Sequence, residues 1–342
     1  MKRTMVLSVV LAVYVCALGM QARGEDDGGG ITLAKGVSAH VLLEAEASYE
    51  SQGDDSASDI VSATFEFGID AKISENVSAS VLLLWEEDDT EPVDLDEAVI
   101  KLGGSDDMPV YLEVGKLYVP FGAFNTHVVS DPMVLELAET RETALLVGYG
   151  DDLVQVKLGA FNGELDENED DQVDDGVVAS VVVTPADGVE CGVYWISDIG
   201  ESGGLQDLVA EVAAGVAEGE EPASYNEVGG AGGYVSVCLG ALTLECEYIT
   251  ALDDFKAGLL GEQAFQPMAW NVEVAFAATE TIEVAVKVEG SDEFPGFPET
   301  QYGVGGSIGL SDHVGLAFEY LRGEFDGEDG RNLVTVQVGV AF

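Results

Sequence analysis

From about residue 37 to the last residue, apolar side chains recur at every second position in short runs. In the final run Val334, Val336, Val338, Val340 and Phe342 share one face, while Thr335, Gln337, Gly339 and Ala341 share the other. The same alternation sets Val61, Ala63, Phe65, Phe67 and Ile69 on one face, then Val77, Ala79, Val81, Leu83 and Trp85. It returns at Trp270 to Phe276, Ile282 to Val288 and Val314 to Tyr320. A period of two with apolar residues on one side predicts strands lying against an apolar phase. The spacing predicts sixteen of them, near 37–50, 59–73, 77–86, 94–103, 109–119, 141–149, 152–162 and 177–184, then 188–197, 227–238, 241–251, 265–278, 281–290, 301–310, 313–322 and 333–342.

The connections alternate in length. Short turns sit at 74–76, 104–108, 150–151, 185–187, 239–240, 279–280 and 311–312. Longer acidic stretches fall between them at 51–58, 87–93, 120–140, 163–176, 198–226, 252–264, 291–300 and 323–332. Every other strand end therefore lies on one side, as in barrels with short periplasmic turns and longer outer loops. A soluble β-sandwich would mix connection lengths and is the weaker reading. The predicted fold is all-β: a transmembrane antiparallel β-barrel of about sixteen strands, whose third external loop folds inward. Trp85, Tyr320 and Phe342 fall near strand ends, where aromatic girdles belong. A barrel of this kind commonly ends on Phe, and Phe342 is read as the insertion signal.

The N-terminus divides differently. Met1-Lys2-Arg3 and the uncharged apolar stretch Met5–Leu18 read as a signal peptide over 1–22. A Gly/Asp-rich segment follows over 23–36, and the barrel occupies 37–342. Later in the chain no run is apolar for the ~18 residues of a membrane helix. Cys191, Cys238 and Cys246 are odd in number, so they cannot all pair; they read as small apolar residues.

Charge sharpens the picture. The chain carries 65 acids against 13 bases, a formal charge of −52. Nucleic acids and anionic surfaces are excluded as partners. By parity Glu44, Glu46, Glu66, Asp70, Glu245, Glu247, Glu273, Glu283 and Glu319 point away from the apolar face, with Lys101, Lys157 and Lys287 as the main inward bases. Carboxylates at mid-strand tolerate neither hydrocarbon nor a dry core without partners. A water-filled lumen lined by these residues hydrates them and favours cations.

The stretch after the fifth strand is too apolar for a wet outer loop: Val128, Val129, Met133, Val134, Leu135 and Leu137 need cover. Folding inward supplies it and places Pro120, Phe121, Asp131, Glu136 and Glu139 at a constriction. Gly115-Lys116-x-Tyr118-Val119-Pro120-Phe121-Gly122, Ser130-Asp131-Pro132 and Leu135-Glu136-Leu137-x-Glu139-Thr140-Arg141-Glu142 resemble the siderophore-porin family typified by the legiobactin receptor (LbtU-like) and, more distantly, the phosphate-selective porins. The resemblance covers about thirty residues. It implies a sixteen-stranded outer-membrane channel associated with ferric siderophore uptake, with Lys116, Arg141 and Glu142 near the constriction. Parity places Lys116 on the outward face, so a bulge at Gly115 is needed to turn it inward.

Asp166, Asn168, Asp170 and Asp174 place oxygens at alternate positions, as Ca²⁺ loops do, without the glycine and terminal acid of an EF-hand. A solvated acidic loop is the better reading. Ca²⁺ or Mg²⁺ at acidic external loops is a candidate, and no cofactor is required. Leu205, Leu208, Val209, Val212, Ala213 and Val216 predict an amphipathic helix on the barrel mouth. His40, His127 and His313 are scattered and no catalytic motif appears, so an enzyme is not expected. These observations predict a porin of the bacterial outer membrane, reached by Sec-dependent export, with an acidic lumen for diffusion of small solutes. Ferric siderophore is a candidate cargo and a homotrimer a candidate assembly. The alternative is a non-conducting surface barrel acting as receptor, adhesin or cation-binding coat.

Overall fold

Alternation alone leaves each strand with an open edge, and closing the sheet on itself is the one arrangement that removes every edge. The computed structural model describes residues 30–87, 92–105, 108–165, 176–216 and 222–342. Its strands are β1 (Ile31–Ala34), β2 (Val37–Gln52), β3 (Asp55–Ser74), β4 (Val77–Trp85), β5 (Asp94–Ser105), β6 (Met108–Tyr118), β7 (Arg141–Gly150), β8 (Val154–Phe161) and β9 (Gly176–Ala186). The second half comprises β10 (Val189–Ile196), β11 (Gly230–Leu239), β12 (Leu242–Ala251), β13 (Met268–Ala277), β14 (Ile282–Asp292), β15 (Thr300–Ser311), β16 (Val314–Glu324) and β17 (Arg331–Ala341). Each strand from β2 to β17 pairs antiparallel with its sequence neighbours, and β17 pairs back onto β2, giving a closed barrel of sixteen staves. Phe342 and Val41 exchange both backbone hydrogen bonds, at 2.8 and 3.1 Å, beside that seam.

Two local expectations are corrected. The Gly/Asp-rich segment contains a strand: β1 turns at Lys35-Gly36 and pairs with Val37–Ala39 of β2, on the stretch of β2 that β17 leaves unpaired. The connection expected at 51–58 is a turn of two residues, Gly53-Asp54, because β2 and β3 keep pairing out to Gln52 and Asp55. The polar sequence there forms a hairpin extended past the pairing of β3 with β4, which stops at Phe65. The signal peptide 1–22 and the candidate Ca²⁺ ligands Asp166, Asn168, Asp170 and Asp174 lie outside the described residues.

Outward side chains form an apolar belt. Leu145 and Val147 of β7, Leu158 of β8, Val284 and Val286 of β14, and Val334, Val336 and Val338 of β17 are exposed. Trp195, Tyr248, Tyr302 and Tyr320 are exposed towards the outer strand ends, and Phe342 lies at the inner end. A continuous belt of this kind suits hydrocarbon and is far larger than the apolar patches of soluble monomers. Among the described residues no helix is long and apolar enough to cross a membrane.

The dry core sits under the outer loops. Helix α1 (Met133–Ala138) lies in the connection between β6 and β7, and α2 (Gly203–Ala214) follows β10 after a 3₁₀ turn at Ile199–Glu201. Met133, Val134 and Leu137 of α1 pack with Leu205 and Leu208 of α2, and with Ile199, Phe255, Leu260 and Phe294. The expected amphipathic helix thus docks by its first turns, while Ala213 and Ala214 remain exposed.

Candidate functional site

The connection between β6 and β7 enters the lumen and is held there by its own backbone. An extended chain inside a barrel leaves N–H groups with no strand to pair with, and each needs an acceptor. The inner wall supplies them as carboxylates. Glu247 of β12 accepts from the N–H groups of Ala123 and Phe124 at 2.8 and 2.7 Å. Glu245 takes the Asn125 amide at 3.0 Å, and Glu273 of β13 takes Thr126 Oγ1 and the His127 N–H at 3.0 and 2.6 Å. Glu319 of β16 accepts from Val129 and Ser130 N–H at 3.1 and 3.0 Å and from the Ser130 hydroxyl. Glu289 of β14 takes the Met133 N–H at 2.9 Å, at the start of α1.

Two basic side chains face this charge. The Lys287 side chain is 0 % exposed; its Nζ lies 3.0 Å from Glu289 and donates to the Ser130 carbonyl at 3.3 Å. His127 Nδ1 lies 2.9 Å from Glu283, and Nε2 lies 4.0 Å from Glu245. Gly305 of β15 leaves room for the loop to approach, since a Cβ there would sit 2.9 Å from Val128 Cγ1.

The inward acids of β12 to β16 therefore differ from the sequence expectation. Parity put Glu245, Glu247, Glu273, Glu283 and Glu319 in water; the loop buries Glu245, Glu247, Glu273 and Glu319, while Glu283 stays partly exposed beside His127. Backbone N–H groups of the loop replace hydration at Glu247, Glu273 and Glu319, and the side chains of Asn125 and Ser236 do so at Glu245. Glu44 and Glu46 also stand on the inner wall: Glu46 accepts from Gln337 at 2.8 Å, and Glu44 is buried beside Gly339.

The space that remains lies against the other arc. A cavity of about 1170 Å³ runs from the inner turns at Ser74-Glu75 and Gly103-Gly104 up to Pro120, Leu135 and Glu139 of the loop. Of the candidate pore residues, Glu66, Asp70, Lys101 and Lys157 line it. Eight carboxylates and three lysines face this space, so its field is negative. Lys101 is paired with Glu113 at 2.8 Å and lies 4.0 Å from the centre of the Tyr111 ring.

The candidate constriction residues separate into groups. Pro120 and Glu139 line the cavity. Phe121 is buried edge-on against Tyr194, ring centres 5.3 Å apart. Asp131 is buried with Oδ2 lacking a partner, Glu136 sits half-buried in the first turn of α1, and Glu142 is buried on β7. Lys116 is a correction: register runs unbroken from Val110 to Tyr118, and no bulge turns it inward. Gly115 instead sits at φ +138° with the Ala98 carbonyl oxygen 1.8 Å from where a Cβ would stand, so the position requires glycine. Lys116 Nζ reaches Asp94 at 3.2 Å, and Arg141 binds Asp94 at 3.0 Å and also Asp96, forming an ion network at the strand ends.

Sequence reading placed Asp94 and Asp96 in the strand expected over 94–103 but missed their role; their spacing of two was the available signal. It also missed Tyr194 and Tyr234, whose hydroxyls donate to Glu247 and, at 2.6 Å, to Glu190. His127 and Ser130, near neighbours in sequence, bond different carboxylates, Glu283 and Glu319, and neither bonds Asp131, whose Oδ2 has no partner.

Protons bear on the loop. Burial alone would lower the His127 pKa, but the Glu283 hydrogen bond and the charges of Glu273, Glu283 and Glu245 together raise it above its ordinary value. Burial, then the charges of Asp96 and Glu136, push Glu139 up to about 8, and burial raises Asp131. All three shifts are upward. The stabilisation they carry is complete below the unfolded values and lost as pH rises, for Glu139 between its ordinary 4.5 and about 8. The loop is expected to loosen on alkalisation. Recording current noise from about pH 6 to about pH 9 checks this, and quieter current at high pH would refute it.

No protein-family model matches the chain. It is 25% identical over 218 residues to a UPF0422 protein of Legionella pneumophila subsp. pneumophila (strain Philadelphia 1), covering 58% of this chain and 40% of that one. It is 24% identical over 248 residues to a UPF0422 protein of Coxiella burnetii (strain RSA 493 / Nine Mile phase I), covering 68% and 51%. The chain thus spans about half or less of the length of the curated relatives it matches. Among solved structures, the outer membrane channel DcaP of Acinetobacter baumannii superposes with a TM-score of 0.63 at 10% identity, over 92% of this chain and 99% of that one. OprB of Pseudomonas putida gives 0.65 at 13% identity, over 90% and 94%. At such identities the likeness is one of fold: the chain folds as a sixteen-stranded barrel of the outer-membrane porin kind.

Proposed function

We propose that this protein is an outer-membrane channel for diffusion of small solutes, with a preference for cations. The observation that carries the reading is the cavity between the inward loop and the arc β3 to β11, where carboxylates outnumber lysines eight to three. Support comes also from the apolar belt, which suits a bilayer, and from the porin fold. The resemblance to siderophore porins implies a ferric siderophore as one cargo, but anionic chelates meet a Coulomb barrier in this lining. Planar-bilayer recording with the refolded barrel tests the proposal. Single-channel steps with cation over anion selectivity are expected. Absence of steps would favour a non-conducting surface barrel, and anion preference would overturn the argument from lining charge.

A further inference from the structure

Four adjacent staves, β8 to β11, carry an aromatic platform ringed by polar groups. Register places Gln155, Val182 and Gly192 in one row across β8, β9 and β10, with Lys157, Ser180 and Tyr194 in the next row towards the outer end. Tyr234 of β11 is paired with Gly192, and its ring lies back over that glycine, where a Cβ would strike Cε1 of the ring. The missing side chain lets the ring lie flat along the wall. Its hydroxyl donates at 2.6 Å to Glu190, two residues inward on β10, which fixes the ring in place. Other tyrosines of this wall are closed to solutes. Tyr194 is 5 % exposed with Phe121 of the loop against it, and Tyr111 is 8 % exposed with Lys101 Nζ 4.0 Å over its ring. Tyr234 is only half-buried, and Tyr194, with ring centres 6.4 Å apart, lies offset from it rather than over its face.

Tyr234 and Val182 form an apolar floor, and from β8 to β10 the patch is about 10 Å wide. Gln155, Lys157, Ser180 and Glu190 form its rim, and all of them line the cavity. One base and one acid leave this rim with no net charge, unlike the acidic wall of β3 to β5. Lys157 supplies donors, Glu190 acceptors, and Gln155 and Ser180 both.

Resting on the channel reading, we propose that this patch binds a neutral sugar in its pyranose form, with one C–H face of the sugar on Tyr234 and its hydroxyls on the rim. A pyranose presents hydrocarbon on its faces and both donors and acceptors around its edge, which is the chemistry that floor and rim complement. Being uncharged, it meets no Coulomb barrier from the acids of β3 to β5. A small ion gains little from a rim of zero net charge, and an apolar solute leaves the rim's polar groups without partners.

Saturation-transfer NMR on the full barrel in a sugar-free detergent tests this without requiring conduction. The probes are methyl β-glucopyranoside and the open-chain polyol sorbitol. Saturation is expected to reach the C–H protons of one pyranoside face, and sorbitol, which lacks a rigid face, to bind about tenfold more weakly. Tyr234→Ser is expected to weaken the pyranoside about tenfold through the lost ring contact, while Tyr234→Phe, which keeps the ring, retains binding. Gln155→Ala is expected to weaken it about threefold, from one hydrogen bond. Equal binding of sorbitol would overturn the stacking, and undiminished binding in Tyr234→Ser would overturn this ring as the floor. Liposome swelling with the same pyranoside separates the two readings. Binding without swelling supports the site and removes the channel, whereas swelling without binding keeps the channel and overturns the site.

Discussion

Substituting Glu319 by alanine is expected to release the middle of the inward loop and enlarge the conducting path. Its carboxylate receives two backbone N–H groups and the Ser130 hydroxyl, and it stands 2 % exposed. Hydrogen bonds to charged groups contribute about 1.5–3 kcal/mol each, and the abandoned N–H groups add a desolvation cost. Even one such bond raises the detached population roughly tenfold, since about 1.4 kcal/mol is a factor of ten. The expected readout is larger, noisier single-channel current together with new proteolytic cleavage between residues 123 and 133. Glu319→Gln, which keeps one acceptor oxygen and loses the charge, should fall between wild type and alanine. Unaltered current and cleavage in Glu319→Ala would show that the loop is held by its apolar packing alone.

The second large effect is expected at Lys287. It is paired in register with Glu273, and its Nζ meets Glu289 while the carboxylates of Glu273, Glu289 and Glu319 converge on the loop around it. Lys287→Met fills the volume but leaves those buried carboxylates without a cation. Breaking a buried ion pair by removing one partner costs about 3–5 kcal/mol. The variant barrel is expected to lose heat resistance, read as migration on a gel after stepwise heating. Adding Glu289→Gln removes the nearest uncompensated charge and should restore part of the loss. A Lys287→Met barrel as heat-resistant as wild type would mean that the loop's N–H groups alone neutralise these carboxylates.

How far the sequence carried the fold follows from what alternation can encode. It placed all sixteen staves because facing hydrocarbon imposes period two on every strand, as Val334, Val336 and Val338 show. It also assigned Glu245, Glu273 and Glu319 to the inner face, since parity alone decides that. Their partners were illegible. The contact of Glu319 with Ser130 spans 189 residues, and its donors are backbone groups that every sequence supplies. The polar hairpin of β2 and β3 was read as a loop because strands beyond the bilayer lose the apolar signal while keeping their hydrogen bonds. Lys116 illustrates a different limit: its motif resemblance pointed to the lumen, but unbroken register kept it in the wall with Asp94.

Where the wall grips the loop by amide N–H groups alone, as at Ala123, Phe124 and Val129, it is indifferent to the side chain carried there. At those three positions nearly any residue except proline offers the same handle, whereas Asn125, Thr126, His127 and Ser130 also hold the wall through their side chains. The barrel is thus a socket, and the loop an insert whose side chains at the backbone-held positions can be exchanged without redesigning the staves. Solute preference in this architecture can drift or be engineered at the loop positions held by backbone alone, while the carboxylates of β12 to β16 stay fixed.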